Sequence, residues 1–317
     1  MPKERLIVIL GPTAVGKTAL SLELAAALQT EIISGDALLV YRGFDIGTAK
    51  PSHAERRGIV HHLIDIMPPS EPYTVTLFQQ QAAACIHQLN AAGKIPILAG
   101  GTGLYVKALL EGYTFNQAAG HAEFRTAMEE LAAREGTAAV YARLQAADPE
   151  TAAELDPHNL RRVIRALETL TYGGERISRE RQADGTAESL VYDALVIGLR
   201  RERAGLYARI NRRVEQMFAA GLVAEVRGLL AQGVTPDMPA MQGIGYRETA
   251  AYLAGELTQA QAIEQIQLHT RHFAKRQLTW YRKMPYIHWF AADELTPEQL
   301  LANVQQAVAG FFPTTAK

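Results

Sequence analysis

Leu6-Ile7-Val8-Ile9-Leu10-Gly11-Pro12-Thr13-Ala14-Val15-Gly16-Lys17-Thr18 is the stretch on which the fold turns. Its first five residues form a continuous apolar run, as expected of a parallel strand buried on both faces. The next eight fill every fixed position of the phosphate-loop pattern G-x-x-x-x-G-K-[ST]. Glycines let the backbone wrap tightly around an anion, so that its N–H groups converge on phosphate oxygens. The helix that starts near Lys17 adds the positive end of its dipole. Lys17 is suited to neutralise a terminal phosphate, and the Thr18 hydroxyl is the usual Mg²⁺ ligand of such a loop. A glycine turn that only packed a helix on a sheet would have no use for the Lys-Thr pair. The loop therefore implies a phosphorylated ligand, and leaves open whether that ligand is a nucleotide.

Outward from this stretch, strands and helices alternate. An apolar helix over 18–28 carries Leu20, Leu24 and Leu28 at helical spacing. Glu31-Ile32-Ile33-Ser34 reads as a second strand. A helix over 78–92 ends at Gly93. Ile95-Pro96-Ile97-Leu98-Ala99 is a third strand, followed by Gly100-Gly101-Thr102-Gly103 and a helix through Leu110. The alternation predicts an α/β fold, a P-loop-type parallel sheet flanked by helices. From about 118 to 189 the pattern is helical, before Ala194-Leu195-Val196-Ile197-Gly198-Leu199 resumes the sheet. The expected division is a catalytic core of 1–115 and 190–317 around a helical insertion domain of 116–189. Long helices are expected over 206–232 and 258–282, then a strand at Tyr286-Ile287-His288-Trp289-Phe290 and a closing helix over 296–311.

The 317-residue length suits about two domains, and the 48% apolar content suits a full core. Thirty-two basic against 33 acidic residues give a net charge of −1, so any nucleic-acid surface must be local. The one cysteine, Cys85, excludes an intrachain disulfide framework and a cysteine-rich zinc module, and reads as a small core residue. No apolar run approaches the roughly 18 residues that span a bilayer, and no signal-peptide pattern is evident. A soluble, cytoplasmic protein is expected, and a monomer, since no coiled-coil or apolar stripe stands out.

Ligands of open parallel sheets bind beyond the carboxyl ends of the strands. Three groups follow strands at that edge: the phosphate loop, Ser34-Gly35-Asp36 and Gly100-Gly101-Thr102. Asp36 is the only carboxylate between Ile32 and Arg42, and serves as a Mg²⁺ partner, a general base or a turn cap. Thr102 offers a hydroxyl or starts a helix. A classical nucleotide hydrolase also wants an apolar strand ending in Asp. Leu63-Ile64-Asp65-Ile66 is a short candidate before Pro68-Pro69, and 95–99 ends in glycine, which weakens an ATPase reading. Arginines cluster at Arg161, Arg162 and Arg165, at Arg176, Arg179 and Arg181, and at Arg209 and Arg213, which share a helix face. Lys275, Thr279 and Arg282 share another face, with Arg276, Trp280 and Tyr281 interleaved, a mixture suited to RNA backbone contact and base stacking.

With these residues in place, the chain resembles the bacterial-type tRNA dimethylallyltransferase (tRNA isopentenyltransferase) family over nearly its whole length. The resemblance is carried by the phosphate loop and by Ser34-Gly35-Asp36 leading into Val40-Tyr41-Arg42-Gly43-Phe44-Asp45-Ile46-Gly47-Thr48-Ala49-Lys50-Pro51. It continues through His62-Leu63-Ile64-Asp65, the third strand with Gly100-Gly101-Thr102-Gly103-Leu104-Tyr105, and Asn159-Leu160-Arg161-Arg162-Val163-Ile164-Arg165-Ala166-Leu167-Glu168. Gln242-Gly243-Ile244-Gly245-Tyr246-Arg247-Glu248, Thr270-Arg271 and Ala274-Lys275-Arg276-Gln277-Leu278-Thr279-Trp280-Tyr281-Arg282 complete it.

The resemblance implies transfer of a dimethylallyl group from its diphosphate to the exocyclic N6 amine of the adenosine 3′-adjacent to a tRNA anticodon. Asp36 is then the base, with Thr102 and Arg213 also catalytic. Gly11, Thr13, Ala14, Val15, Gly16, Lys17 and Thr18 hold the diphosphate, and Mg²⁺ binds at Thr18. Implied tRNA contacts are Asp36, Ala37, Leu38, Leu39 and Thr102 around the target base, and Arg125, Arg161, Arg162 and Arg165 on the insertion. Gln242, Gly245, Tyr246, Arg247, Lys275, Arg276, Gln277, Thr279, Trp280 and Arg282 complete the set. Ala37 and Leu39 depart from the Ser and Gln common in the family, which bears on how the adenine is held. The zinc-finger extension of eukaryotic relatives is expected to be absent, in keeping with one cysteine. Three alternatives remain: a prenyltransferase of free adenine nucleotides, a P-loop small-molecule kinase, and a non-catalytic RNA-binding module.

Overall fold

In a computed structural model, residues 2–114, 121–173 and 186–313 are described. The chain divides into two compact units, Met1–Leu110 with Gly185–Lys317, and Glu111–Asp184.

The first unit is built on six parallel strands: β1 (Arg5–Leu10), β2 (Ile32–Ser34), β3 (His61–His62), β4 (Ile97–Gly100), β5 (Asp193–Arg200) and β6 (Ile287–Ala291). Their order across the sheet is β3-β2-β4-β1-β5-β6. The apolar run of β1 is central, with Ile7 opposite Ile97 on one side and Leu195 on the other. Its side chains alternate faces, as a pleated strand requires. Leu6, Val8 and Leu10 enter one core with Phe78, Ile86 and Val106, while Ile7 and Ile9 enter a second with Leu24, Ile210 and Val304. Burial of each such side chain contributes about 1.5–3 kcal/mol.

The helices of this unit are α1 (Lys17–Leu28), α2 (His53–Arg56), α3 (Val75–Ala91) and α4 (Gly103–Glu111), the last entering the second unit at its final residue. After the second unit come α9 (Arg203–Ala219), α10 (Leu222–Ala231), α11 (Tyr246–Leu253), α12 (Gln259–Tyr281) and α13 (Pro297–Phe311). Thr74, Thr258 and Thr296 cap α3, α12 and α13, each side chain accepting a backbone N–H three residues on.

Two elements differ from the sequence expectation. The single helix expected over 206–232 is two, because Gly221 adopts φ +102° and turns the chain between α9 and α10. The strand sought at Leu63-Ile64-Asp65-Ile66 is a bend, since Leu63 and Asp65 both have positive φ; the strand is the preceding His61–His62. Asp65 meets Lys50 and Arg56 and is not among the residues lining the cavity that holds Lys17 and Asp36.

The second unit contains α5 (Ala122–Glu135), α6 (Thr137–Ala147), α7 (Pro149–Glu154) and α8 (Leu160–Gly173). Met128, Leu131, Val140, Leu144, Val163 and Leu167 form its own core. Glu168 is fully buried and accepts from Arg125 through Nε and Nη2, both at 2.9 Å, and from Arg165 at 3.2 Å. Arg161 and Arg162 are exposed on α8. Arg176, Arg179 and Arg181 lie outside the described residues.

Candidate functional site

The groups that follow β1, β2 and β4 do converge at the carboxyl edge of the sheet. The phosphate loop runs from Gly11 to Gly16, with Gly11, Ala14 and Gly16 at positive φ. Its carbonyls are held from outside: Arg209 Nε donates to Ala14 O at 2.9 Å, and Arg201 Nε to Val15 O at 3.2 Å. Lys17 Nζ donates to Gly11 O and Pro12 O at 2.8 and 2.9 Å.

Lys17, Thr18, Ser34, Asp36, Arg209 and Arg213 share the wall of one cavity of about 320 Å³, to which Leu39 also contributes. A second cavity of about 350 Å³ has Thr13, Ala14, Asp36, Thr48, Arg213 and Phe273 in common with it. Its remaining walls are mostly apolar, including Ala37, Leu38, Ile210, Val214, Met217 and Ile244. Asp36 and Arg213 thus stand where a charged chamber meets an apolar one. A side chain on Gly101 would begin 2.6 Å from Gln277 Nε2, so glycine there makes room for that amide, with Lys17 Nζ and Asp36 Oδ2 at 3.7 and 3.8 Å from the same point.

Asp36 Oδ1 accepts the N–H of Leu38 at 2.9 Å, which fixes the carboxylate plane. Thr102 Oγ1 accepts the N–H of Ala37 at 3.1 Å, tying the two loops together. Desolvation lowers the Lys17 pKa to about 8; Asp36 opposes the shift and Arg213 adds to it. Burial likewise lowers Arg213, with Asp36 opposing and Arg209 adding. The concentration of cations in a poorly hydrated space suits a multiply charged anion.

The structure separates the remaining expected residues. Lys275, Arg276 and Thr279 lie exposed along α12 and Arg282 just past its end, Gln242 and Arg247 are exposed elsewhere, and Trp280 is half-buried against Gly103. Gln277, Gly245 and Tyr246, which the resemblance places among the tRNA contacts, are buried. Gln277 Oε1 accepts the Thr13 N–H at 2.9 Å, and its Nε2 donates to Gly101 O at 2.7 Å. Tyr281 Oη donates to Gly101 O at 2.9 Å. Helix α12 therefore clamps two site loops with its buried face while its opposite face meets solvent. The sequence reading missed this clamp, along with Arg201 and Glu225. No local motif marks them, because their partners are distant in the chain.

Mg²⁺ fits this donor set in one form. Among the described residues no three His, Cys, Asp or Glu side chains gather as a metal-binding group. The Ser34 hydroxyl is buried without a hydrogen-bond partner and lines the charged cavity beside Thr18. One or two hydroxyls suit an ion held chiefly by phosphate oxygens and water.

Fold and site together define a class: a parallel α/β protein with a glycine-rich anion loop at the carboxyl edge of its sheet and an apolar chamber beside it. The IPP transferase family model matches residues 39–284. A tRNA dimethylallyltransferase of Geobacillus kaustophilus is 46% identical over 303 residues, covering 96% of this chain and 95% of the relative. The crystal structure of a tRNA isopentenylpyrophosphate transferase from Bacillus halodurans superposes with TM-score 0.73 at 40% identity, covering 98% and 97% of the two chains. A eukaryotic dimethylallyltransferase described as acting on tRNA gives TM-score 0.80 at 27% identity, covering 99% of this chain and 81% of that one. The chain belongs to the IPP transferase family, that of the tRNA dimethylallyltransferases.

Proposed function

We propose that this chain transfers a dimethylallyl group from dimethylallyl diphosphate to the exocyclic N6 amine of the adenosine 3′-adjacent to the anticodon in tRNA. One observation carries the reading beyond family membership. A single carboxylate, Asp36, sits at the junction of a cationic chamber and an apolar one. The apolar walls suit the hydrocarbon chain of a prenyl diphosphate and the charged ones its diphosphate.

The adenine amine is a poor nucleophile, because its lone pair is delocalised into the ring. Nitrogen attacks the allylic carbon, the C–O bond to diphosphate breaks, and the amine proton passes to Asp36. Lys17 and Arg213 stabilise the charge that develops on the leaving diphosphate. The Thr18 and Ser34 hydroxyls would hold Mg²⁺, which when bound would supply further neutralising charge. The phosphate-loop amides, from Gly11, Thr13, Ala14, Val15 and Gly16 onward, orient the same group. Thr102 holds the turn that carries Asp36. Around the target base we place Ala37, Leu38 and Leu39. The base must leave the anticodon stack to reach them, at a cost of a few kcal/mol.

Outside the chamber, Arg125, Arg161, Arg162 and Arg165 are proposed to grip the anticodon arm, and Lys275, Arg276, Thr279 and Arg282 its backbone. Gln242, Arg247 and Trp280 join them, with Gly245, Tyr246 and Gln277 supporting from behind. No helix among the described residues is long and apolar enough to cross a membrane. A tRNA substrate suits a cytoplasmic enzyme, and we propose a monomer.

The test is transfer of label from radiolabelled dimethylallyl diphosphate to unmodified tRNA with Mg²⁺, comparing wild type with Asp36→Ala. Strong labelling by wild type and a loss of roughly a hundredfold or more in the variant are expected. ATP consumption without labelling would put the kinase in its place.

A further inference from the structure

The run Asp45-Ile46-Gly47-Thr48-Ala49-Lys50 is prominent in the sequence, yet the chemistry above uses none of its side chains. Its backbone explains it. The N–H groups of Asp45 and Ile46 donate to Glu225 Oε2 at 3.2 and 2.7 Å, and that of Gly47 to Oε1 at 3.2 Å. Tyr246 Oη donates to the same Oε1 at 2.7 Å. Four donors thus occupy the two oxygens of one carboxylate, close to its full acceptor capacity. Tyr246 is fully buried, 4.5 Å from Phe44 between ring centroids. A side chain on Gly47 would begin 2.6 Å from the Tyr246 ring, so only glycine lets the turn sit on it.

The other end of the turn is fixed with equal completeness. Lys50 is buried, and its three ammonium hydrogens meet three acceptors: Tyr41 O at 2.8 Å, Asp45 Oδ1 at 2.7 Å and Asp65 Oδ1. The Thr48 hydroxyl donates to Phe44 O at 2.6 Å. Between the two anchors, Thr48 presents its carbonyl to the guanidinium of Arg213, Nη2 at 3.4 Å. Thr48 and Arg213 line both chambers of the site.

We propose that Glu225 is a positioning residue for the diphosphate end of the reaction: by gathering the amides of residues 45–47 with Tyr246, it sets the Thr48 carbonyl that aims Arg213 into the charged chamber. The proposal rests on the functional reading above and extends it to a residue that touches no substrate. Glu225→Gln replaces one acceptor oxygen by an NH₂ group facing N–H donors, so the turn must shift. Arg213 then loses its fixed direction while keeping its charge.

The experiment measures binding of pyrophosphate with Mg²⁺ by calorimetry, steady-state transfer and tRNA gel shifts, for wild type, Glu225→Gln, Tyr246→Phe, Arg213→Ala and the Glu225→Gln/Arg213→Ala double variant. For Glu225→Gln, the pyrophosphate Kd and the KM for prenyl diphosphate should both rise about tenfold. Its tRNA affinity should be unchanged. The double variant should bind pyrophosphate about as weakly as Arg213→Ala alone, since both substitutions remove one interaction. Tyr246→Phe, which removes one of the four donors, should shift the pyrophosphate Kd in the same direction by a smaller factor. It also decides the matter should Glu225→Gln fail to fold. An unchanged pyrophosphate Kd in a folded Glu225→Gln or in Tyr246→Phe, or full additivity with Arg213→Ala, overturns the proposal. Failure of the wild type to bind pyrophosphate or to transfer label overturns instead the reading of the site.

Discussion

Lys17 shows how burial sets a working range for a single residue. Its pKa is lowered to about 8, chiefly by desolvation. In the free protein the ammonium is therefore charged below that pH and neutral above it. A bound diphosphate favours the charged form and draws a proton in. Apparent affinity for pyrophosphate should consequently fall as pH rises through about 8, with proton uptake on binding just above it. Calorimetry in buffers of different ionisation enthalpy measures both. Lys17→Arg, whose charge persists, should flatten the step. Folding carries the opposite sign: between about 8 and the ordinary lysine value the unfolded chain binds more protons, so this group's contribution makes the fold more stable as pH rises.

At the same scale, the site residues were legible in unequal degree. The phosphate loop and Asp36 announce themselves, because their chemistry demands particular residues at local spacing. Ser34 was legible only as a member of the strand-end group with Asp36, without a role of its own, and Glu225 not at all, since a glutamate on a helix is not unusual. Gln277 was legible as part of a motif, but its direction was not. The same helix presents both a solvent face and a core face, and only packing says which one a residue occupies.

Among the elements, α8 and α12 each carry polar residues for two purposes. On α8, Arg161 and Arg162 are exposed while Glu168 is buried beneath Arg125 and Arg165. Removing one partner of a buried charge cluster leaves uncompensated charge in the core. Glu168→Ala should destabilise the second unit by about 3 kcal/mol, near the lower end for such sites because both guanidinium groups reach solvent. Chemical denaturation followed by a probe in that unit would measure it. Near-wild-type stability would mean that the arginines hold no structural duty there. The break between α9 and α10 was present in the sequence as Gly221, but glycine inside a helical pattern is also tolerated. The tertiary position of Glu225, in the first turn of α10, requires the break.

For the whole molecule, two compact units permit two separable kinds of binding. Phosphate contacts on nucleic acid are electrostatic and salt-dependent, with a slope set by the number of charges neutralised. Arg161→Glu combined with Arg162→Glu should weaken tRNA binding about tenfold or more and reduce its salt slope. Pyrophosphate affinity should stay at the wild-type value. Filter binding across a salt series, beside calorimetry, distinguishes this from a general loss of fold. Equal tRNA affinity in the charge-reversed protein would remove the second unit from the RNA surface.

By itself the sequence determined a strand–loop–helix start, the alternation that makes a parallel sheet, a helical interruption and the identity of the residues at the strand ends. All of these follow from local periodicity or from the short-range demands of anion binding. The sheet order, the clamp from Gln277 onto Thr13 across 264 residues and the seat that Glu225 provides for Gly47 across 178 were decided only in the tertiary structure. Such contacts leave no periodic trace. Each depends on a buried polar group finding its partner, and burial arises only once distant segments have packed together.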